Sequence, residues 1–245
     1  MGSEASIYVY NEGADDYVIN FAQLTQRAGN FLVSRDVKEE FSWDNVKGKT
    51  IVGGRAGGMP EMVLEYILKK NNIEPQKDVT IIQNIDFGLT SQAFAAGTGD
   101  YTVEFEPGAT ALEKEGTGKV VASLGVESGM VPYTAYSAKK SYIEKNPEVI
   151  QKFTNAIQKG LDYVNSHTPE EIAKVIAPQF AETDIDTVTA IVKRYYDQQT
   201  WKADTVFEEE SFALLQSILS SAGVIETEAQ YDKLVTTVYA EKAVK

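Results

Sequence analysis

The segment with the clearest chemical potential is a glycine-rich stretch that precedes a helix start. It reads Gly53-Gly54-Arg55-Ala56-Gly57-Gly58-Met59-Pro60-Glu61 and follows the strand-like run Thr50-Ile51-Val52. A glycine turn before a helix exposes backbone N–H groups and the positive end of the helix dipole, so a carboxylate, sulfonate or phosphate could bind there. The segment has more glycines than a tight turn needs, but such a turn without a ligand stays the alternative. Glu61 disfavours an anion at this turn, unless Arg55 neutralises it.

The glycine-rich segment matches neither of the common nucleotide-binding motifs. Its spacing is not G-x-G-x-x-G, and no Gly-Lys-Ser/Thr follows, so dinucleotide and Walker-type sites are excluded. Two acidic loops follow other predicted strands, with Asp86 before Phe87-Gly88 and Glu106 before Pro107-Gly108. Because ligands of open α/β sheets bind at the carboxyl ends of strands, each carboxylate is placed to accept a ligand donor. Taken alone, each is more typical of a solvated loop.

The residue inventory excludes several kinds of catalytic site. The chain has no Cys and 1 His, so disulfides, thiolate metal sites, Fe–S clusters and Cys nucleophiles are ruled out. His167 directly precedes Thr168, a position typical of an imidazole that stabilises a helix C-terminus. The acidic clusters lack the spacing of a calcium-binding loop. No catalytic residue, metal or cofactor is therefore predicted, and the inventory favours binding over chemistry.

Charge and hydropathy narrow the class of partner. The chain has 36 Asp and Glu against 23 Lys and Arg, and its net charge of −13 disfavours nucleic acids and anionic membranes as partners.

The length of 245 residues, 43% of them hydrophobic, suits one large domain or two small lobes. No run approaches the ~20 apolar residues of a membrane span. The N-terminus, Met1-Gly2-Ser3-Glu4-Ala5-Ser6, lacks a basic segment followed by an apolar core, so no signal peptide is predicted in it.

The elements that position these residues change in kind along the chain. Between residues 50 and 137, short apolar runs alternate with amphipathic helical segments, which is the pattern of a parallel α/β sheet. From Pro147 onwards only helices are predicted, with Asn146 as the first N-cap and a capping box at Thr168-Pro169-Glu170-Glu171. A final helix is predicted over residues 227–239. The fold class is therefore α/β, with a helical C-terminal part.

Several motifs, in this order and spacing, resemble a known family. They are Val46-Lys47-Gly48-Lys49 with the strand and glycines after it, Gly57-Gly58-Met59-Pro60-Glu61-Met62, Ala93-Phe94-Ala95-Ala96-Gly97-Thr98-Gly99-Asp100, Phe105-Glu106-Pro107, and Pro147-Glu148-Val149-Ile150-Gln151-Lys152-Phe153. Together they resemble the SsuA/THI5-like (NMT1-like) branch of the type II periplasmic binding proteins. The resemblance implies a two-lobed fold, in which residues 1–35 and 136–245 belong to lobe 1 and residues 36–135 form lobe 2.

The resemblance also implies a function and a ligand site. Family members are substrate-binding components of ABC importers, so a small organic solute such as a sulfonate or a pyrimidine/thiamin-precursor-like compound is expected between the lobes. An ABC permease is the expected partner, and the full-length protein is expected outside the cytoplasm. The ligand-binding residues carried over from the family are Ser3 and Glu4 in lobe 1, and Gly57, Gly58, Met59, Asp86 and Glu106 in lobe 2.

The N-terminus departs from the family pattern. Members open with two or three βα units, about ninety residues, that have no counterpart here. The segment Met1-Gly2-Ser3-Glu4-Ala5-Ser6 resembles the loop after those units, and Met1 resembles an internal methionine. An incomplete lobe 1 would expose strand edges and apolar surface, which predicts either an N-truncated form of a family member or a chain that repairs the gap by self-association or domain swapping. A ligand-free interaction or sensor protein is the alternative function. A pyrimidine-synthesising enzyme is disfavoured, because that branch relies on a cysteine-rich motif and an active-site histidine.

Overall fold

The chain divides into two compact units. The computed structural model describes residues 2–38 and 40–245, so Met1, with its resemblance to an internal methionine, lies outside the described residues. Unit 1 comprises Met1–Arg27 and Met130–Lys245, and unit 2 comprises Ala28–Gly129. The two units divide after Arg27 and after Gly129. The predicted lobe boundaries, after residues 35 and 135, stay a prediction.

Strands and helices are both present, which confirms the predicted α/β class. The strands are β1 (Val18–Thr25), β2 (Asn30–Ser34), β3 (Thr50–Val52), β4 (Thr80–Ile82), β5 (Tyr101–Phe105), β6 (Lys119–Ser123) and β7 (Thr134–Lys139). The helices are α1 (Glu4–Asn11), α2 (Met59–Lys70), α3 (Thr90–Ala95), α4 (Gly108–Lys114), α5 (Leu124–Ser128), α6 (Lys140–Lys145), α7 (Pro147–Ser166), α8 (Pro169–Ile176), α9 (Ile185–Asp197), α10 (Glu209–Ser221), α11 (Tyr231–Leu234) and α12 (Val238–Ala243).

Unit 2 contains a mixed five-stranded sheet in the order β4-β3-β5-β2-β6. The predicted parallel arrangement of the strands between residues 50 and 137 is confirmed for β3, β4 and β5, whereas β2, which precedes that range, runs antiparallel to β5 and β6. The chain enters unit 2 through β2, before the strand–helix alternation begins at residue 50, so no helical crossover sets its direction. The predicted strand near residues 133–137 is β7, and it pairs in unit 1 instead.

Helix α2 leads from the glycine-rich segment into the core of unit 2. Gly58 precedes the helix in an extended conformation, and Pro60 fits the first turn because no helical partner is needed for its missing N–H. The apolar face of α2 is fully buried, and it consists of Met62, Val63, Leu64, Ile67 and Leu68. Burial of each such side chain stabilises the fold by about 2 kcal/mol. This packing holds the start of α2, and the loop before it, in place.

Unit 1 contains a two-stranded antiparallel sheet, formed by β1 and β7, and the long helices. Phe21 and Ala22 of β1 pack against Ile143 of α6 and Ile150 of α7. A second apolar cluster joins α8 to α9, and its buried members are Ile172, Ala173, Val188 and Val192. The apolar periodicity after Pro147 therefore corresponds to faces that are buried within unit 1.

The predicted helical C-terminal part is confirmed, with two corrections. Asn146 occupies the N-cap position of α7, but its side chain donates to the carbonyl O of Tyr142 at 3.0 Å and so does not cap α7. The predicted helix over 227–239 is wrong as one element, because it is interrupted between α11 and α12. There the N–H of Thr236 donates to the carbonyl O of Asn20 in β1 at 2.9 Å. This strand-type contact replaces a helical hydrogen bond and ends α11.

Replacement of Thr168 by Ala is expected to lower the free energy of unfolding by about 1 kcal/mol. The predicted capping box is present, since the Glu171 N–H donates to Thr168 Oγ1 at 3.3 Å and the Thr168 N–H donates to Glu171 Oε2 at 2.9 Å. Without Oγ1, one N–H in the first turn of α8 loses its partner. Urea denaturation measures the change. Thr189→Ala is the control, because this hydroxyl bonds only within α9; equal losses for both variants would contradict the capping role.

Candidate functional site

The carboxyl ends of β3, β4 and β5 meet at one edge of the unit 2 sheet, because β3 runs parallel to both neighbours. The loops after these strands therefore start side by side. The loop after β3 is tied to the end of β4 by the Gly53 N–H, which donates to the carbonyl O of Ile82 at 3.0 Å. This edge brings the glycine-rich segment together with the loops that carry Asp86 and Glu106. We call this edge, with the loops after β3, β4 and β5, the loop edge.

Two glycines of the loop edge have left-handed backbone conformations, with φ of +88° at Gly54 and +72° at Gly57. Residues with side chains rarely adopt such angles. At Gly54 a Cβ would also lie 2.4 Å from Cζ of Phe87, so this glycine lets the ring pack directly on the loop. Phe87 in turn contacts Phe105, with ring centroids 5.7 Å apart. The glycine and the aromatic pair thus hold the three loops against one another.

The carboxylate of Glu61 accepts a hydrogen bond from a backbone N–H group that an anionic ligand would otherwise use. The N–H of Gly57 donates to Glu61 Oε2 at 3.3 Å, and Gln83 Nε2 donates to Oε1 at 2.7 Å. Glu61 is only 2% exposed, whereas Arg55 is exposed. The burial of Glu61 and its bond from Gly57 agree with the prediction that Glu61 disfavours an anion at this turn. An external anion would approach a buried carboxyl group of the chain itself.

Glu65 lies one helical turn after Glu61 and belongs to the same polar cluster. Gln83 Nε2 is 3.5 Å from Glu65 Oε1. Burial raises the pKa of Glu65 to about 7, with further contributions from its hydrogen bond to Glu61 and the charge of Glu61. A proton on Glu65 reduces its repulsion with the carboxylate of Glu61 in surroundings of low dielectric constant. Sequence reasoning missed this pair; its signal was two Glu residues at i and i+4 on a largely apolar helix.

The other carboxylates of the loop edge have different environments. Glu104, in β5, is 4% exposed and accepts from the hydroxyl of Thr102 at 2.8 Å, and burial raises its pKa to about 6. Glu106 accepts from the N–H and the hydroxyl of Thr110, both at 3.0 Å, and so caps the start of α4. Asp86 is exposed. Ligand contacts by Asp86 and Glu106 stay predictions, and Glu106 has a structural role besides.

The two predicted site residues of the N-terminus lie in unit 1, at the start of α1. The hydroxyl of Ser3 donates to the carbonyl O of Pro132, and the carbonyl O of Ser3 accepts from the hydroxyl of Ser6 at 2.7 Å. Ser3 thus has structural partners. Glu4 differs, because its Oε2 is buried and has no partner among the residues that the structure describes. Burial raises the pKa of Glu4. Within residues 2–38 and 40–245, Oε2 of Glu4 is thus an acceptor without a hydrogen-bond donor.

Asn30 is a candidate that sequence reasoning missed. It is the first residue of β2 and is fully buried, and its Nδ2 donates to the carbonyl O of Pro60 at 3.4 Å. Its Oδ1 is buried and has no partner within residues 2–38 and 40–245. Gly58 and Met59 precede Pro60 at the start of α2, so Asn30 lies beside predicted site residues. The sequence pattern places Asn30 at the start of a strand after Gly29, but no pattern marks its side chain as a buried acceptor.

The contacts of His167 are structural. It follows the last residue of α7, its Nδ1 lies 2.8 Å from the carbonyl O of Tyr163, and its ring stacks on Tyr163 with centroids 3.7 Å apart. In the described part of the chain, no group of three or more His, Cys, Asp or Glu is arranged to hold a metal ion. No helix of that part is long and apolar enough to cross a membrane.

Comparisons with known proteins identify a family and a relative that are similar to this chain in sequence. A family model described as NMT1/THI5 like matches residues 1–172. YtlA of Bacillus subtilis strain 168, which is named as a binding protein, is 48% identical over 242 residues, covering 99% of this chain and 72% of the relative.

Two solved structures share the fold at low sequence identity. The periplasmic aliphatic sulphonate binding protein SsuA from Escherichia coli has a TM-score of 0.68 and 15% identity, covering 96% of this chain and 77% of SsuA. The desulfurization enzyme DSZB has a TM-score of 0.67 and 13% identity, covering 99% of this chain and 84% of the enzyme. These structures agree in fold only, whereas the family model and YtlA match in sequence along most of the chain. The chain belongs to the NMT1/THI5-like family.

Proposed function

We propose that the chain is the substrate-binding component of an ABC importer and binds a small organic solute. The observation that carries this proposal is the loop edge of unit 2, where three loops with polar groups meet at the carboxyl ends of parallel strands. Membership of a family that includes binding proteins supports it, and so does the name of YtlA. Oε2 of Glu4 in unit 1, a buried acceptor with no donor among the described residues, supports it as well.

The proposed ligand is a sulfonate or a pyrimidine/thiamin-precursor-like compound. The fold of SsuA, a sulphonate binding protein, supports the first class, and the THI5-like family supports the second. An ABC permease is the proposed partner, and the full-length protein is proposed to act outside the cytoplasm. We propose binding rather than catalysis although DSZB, an enzyme, has the same fold, because this chain has no Cys and its one His has structural contacts.

A ligand-free interaction or sensor protein is the second candidate. The observation that favours it is the bond from the Gly57 N–H to Glu61, because a carboxylate of the chain itself occupies the glycine-rich turn. A native mass spectrum of the freshly purified chain separates the two candidates. The 27.0 kDa mass plus that of a small organic molecule would support the binding protein. The bare mass, unchanged after incubation with candidate solutes, would favour the ligand-free protein. Self-association stays a prediction, and the same spectrum reports it.

Replacement of Glu4 by Leu is expected to weaken the affinity for the solute found in that spectrum by tenfold to a hundredfold. A hydrogen bond to a charged group contributes about 1.5–3 kcal/mol, and each 1.4 kcal/mol is a factor of ten in affinity. Isothermal titration calorimetry measures the change. Glu12→Leu is the matched control, because Glu12 is the exposed residue that follows the same helix. Equal affinities of the two variants would contradict a ligand contact at Glu4.

A further inference from the structure

The side-chain oxygen of Asn30 needs a hydrogen-bond donor that the described chain does not supply. Nδ2 of Asn30 already faces the carbonyl O of Pro60 at 3.4 Å. Exchanging the amide O and N would place two acceptor oxygens against each other, so the geometry assigns the acceptor to the unpartnered position. Asn30 is fully buried, so bulk solvent does not satisfy this oxygen. A buried acceptor without a donor is destabilising and calls for a partner from outside the chain.

Asn30 lies next to the loop edge. Across the sheet it pairs with Phe105, which directly precedes Glu106, and its amide contacts Pro60 in the first turn of α2. The amide group of Asn30 therefore lies beside the glycine-rich segment. This position follows from strand register and one hydrogen bond, and it does not depend on the acidic residues of the edge.

The charged groups around this position disfavour a negatively charged ligand. The N-terminus of α2 would by itself attract an anion, but the Gly57 N–H is already bonded to the buried carboxylate of Glu61. Glu106 follows the strand residue opposite Asn30, and Asp86 lies in the neighbouring loop. Arg55, the basic residue of the glycine-rich segment, is exposed. A ligand group with N–H donors and no negative charge suits these neighbours, whereas a sulfonate would be repelled.

We propose that the ligand enters the loop edge with an amino, amidino or ring N–H group that carries no negative charge, and that Asn30 Oδ1 accepts a hydrogen bond from this group. The inference rests on the proposed binding function and names the ligand class for it. Of the two ligand classes above, it selects the nitrogen-rich one. Asn30 becomes a ligand-binding residue in addition to those that the family resemblance implies.

Matched pairs of small probes test the ligand class. Benzamidine is compared with benzenesulfonate, and 4-aminopyrimidine with pyrimidine-4-carboxylate, so that size and ring are kept while the donor group is exchanged for an anion. Binding to the full chain is measured by ligand-observed NMR titration. The N–H probes are expected to bind at least tenfold more tightly than their anionic partners. Tighter binding of the anionic probes would overturn the inference and leave the binding function intact. Failure of all four probes to bind would count against both.

The variant Asn30→Leu tests the residue, and Asn71→Leu is its matched control. Asn71 lies at the opposite end of α2, about 18 Å along the helix axis, and its amide bonds to Ile67. Asn30→Leu is expected to weaken binding of the N–H probes by at least tenfold, and Asn71→Leu to leave it unchanged. Without ligand, Asn30→Leu is expected to keep or raise the urea midpoint, because removal of the unpartnered acceptor offsets the loss of the long 3.4 Å bond from Nδ2 to the carbonyl O of Pro60. A lower midpoint together with unchanged probe binding would show that Asn30 is purely structural and would overturn the proposal.

Discussion

Replacement of Gly125 by Ala is expected to lower the free energy of unfolding of unit 2 by about 3 kcal/mol or more, because the added methyl group has no room. A Cβ at this position would lie 2.1 Å from the carbonyl O of Ala28. That oxygen belongs to the backbone and cannot rotate away, so α5 or the chain just before β2 would have to shift. Urea denaturation followed by far-UV circular dichroism measures the loss as a lower midpoint.

Gly160→Ala is the matched control for this variant. Gly160 lies in α7 on the exposed surface, and a Cβ there would meet nothing within 4 Å. Since Ala has a higher helix propensity than Gly, this variant is expected to raise the free energy of unfolding by about 0.5–1 kcal/mol. The same substitution thus has opposite effects at the two sites. A wild-type midpoint for Gly125→Ala would contradict the close approach of α5 to Ala28.

Two raised carboxyl pKa values are expected to make unit 2 less stable as the pH rises from about 4.5 to about 7. Burial raises the pKa of Glu104 from 4.5 to about 6 and that of Glu65 from 4.5 to about 7. In this range the folded chain holds protons that the unfolded chain has released, so a rise in pH favours unfolding. The stabilisation that these protons contribute is fully present below pH 4.5, and it is lost as the pH rises through the folded-state pKa of each group. For Glu104 alone, the shift corresponds to about 2 kcal/mol.

The variant Glu104→Gln isolates this contribution, because the amide keeps an acceptor for the hydroxyl of Thr102 without the charge. It is expected to be about 2 kcal/mol more stable than the wild type at pH 7 and equally stable at pH 4, as measured by urea denaturation at each pH. Glu65→Gln is the companion variant, which should remove the pH dependence that extends to about pH 7. A constant difference between Glu104→Gln and the wild type at every pH would sink the assignment of this proton to Glu104.

Carboxyl groups with lowered pKa values act in the opposite direction and in a different pH range. Hydrogen bonds from Ser141 lower the pKa of Asp16, and the N–H of Thr168 lowers that of Glu171. Their contributions are present above the unfolded pKa values and are lost as the pH falls below about 4. The loss of stability at higher pH, in contrast, comes from the buried groups of unit 2.

Local patterns in the sequence determined most elements of this protein. The start of α2 at Pro60, the capping box of Thr168 and Glu171, and the end of α10 before Gly223 all follow from residues within about one helical turn of each other. The order of motifs also identified the family, because it combines several such local signals. The glycine-rich segment was recognised for the same reason, since the freedom of φ at Gly54 and Gly57 is a property of the residue type.

Only the tertiary structure decided which polar groups have partners. Glu61 was visible as an acidic residue in a first turn, but its burial and its bond from Gln83 join residues on separate elements. The unpartnered oxygen of Asn30 depends on the sheet register that places β2 beside β5. The interruption before α12 likewise arises because Thr236 finds a partner in β1. Helix caps and periodicity depend on neighbours in sequence, whereas burial and hydrogen-bond partners depend on residues that only the folded chain brings together.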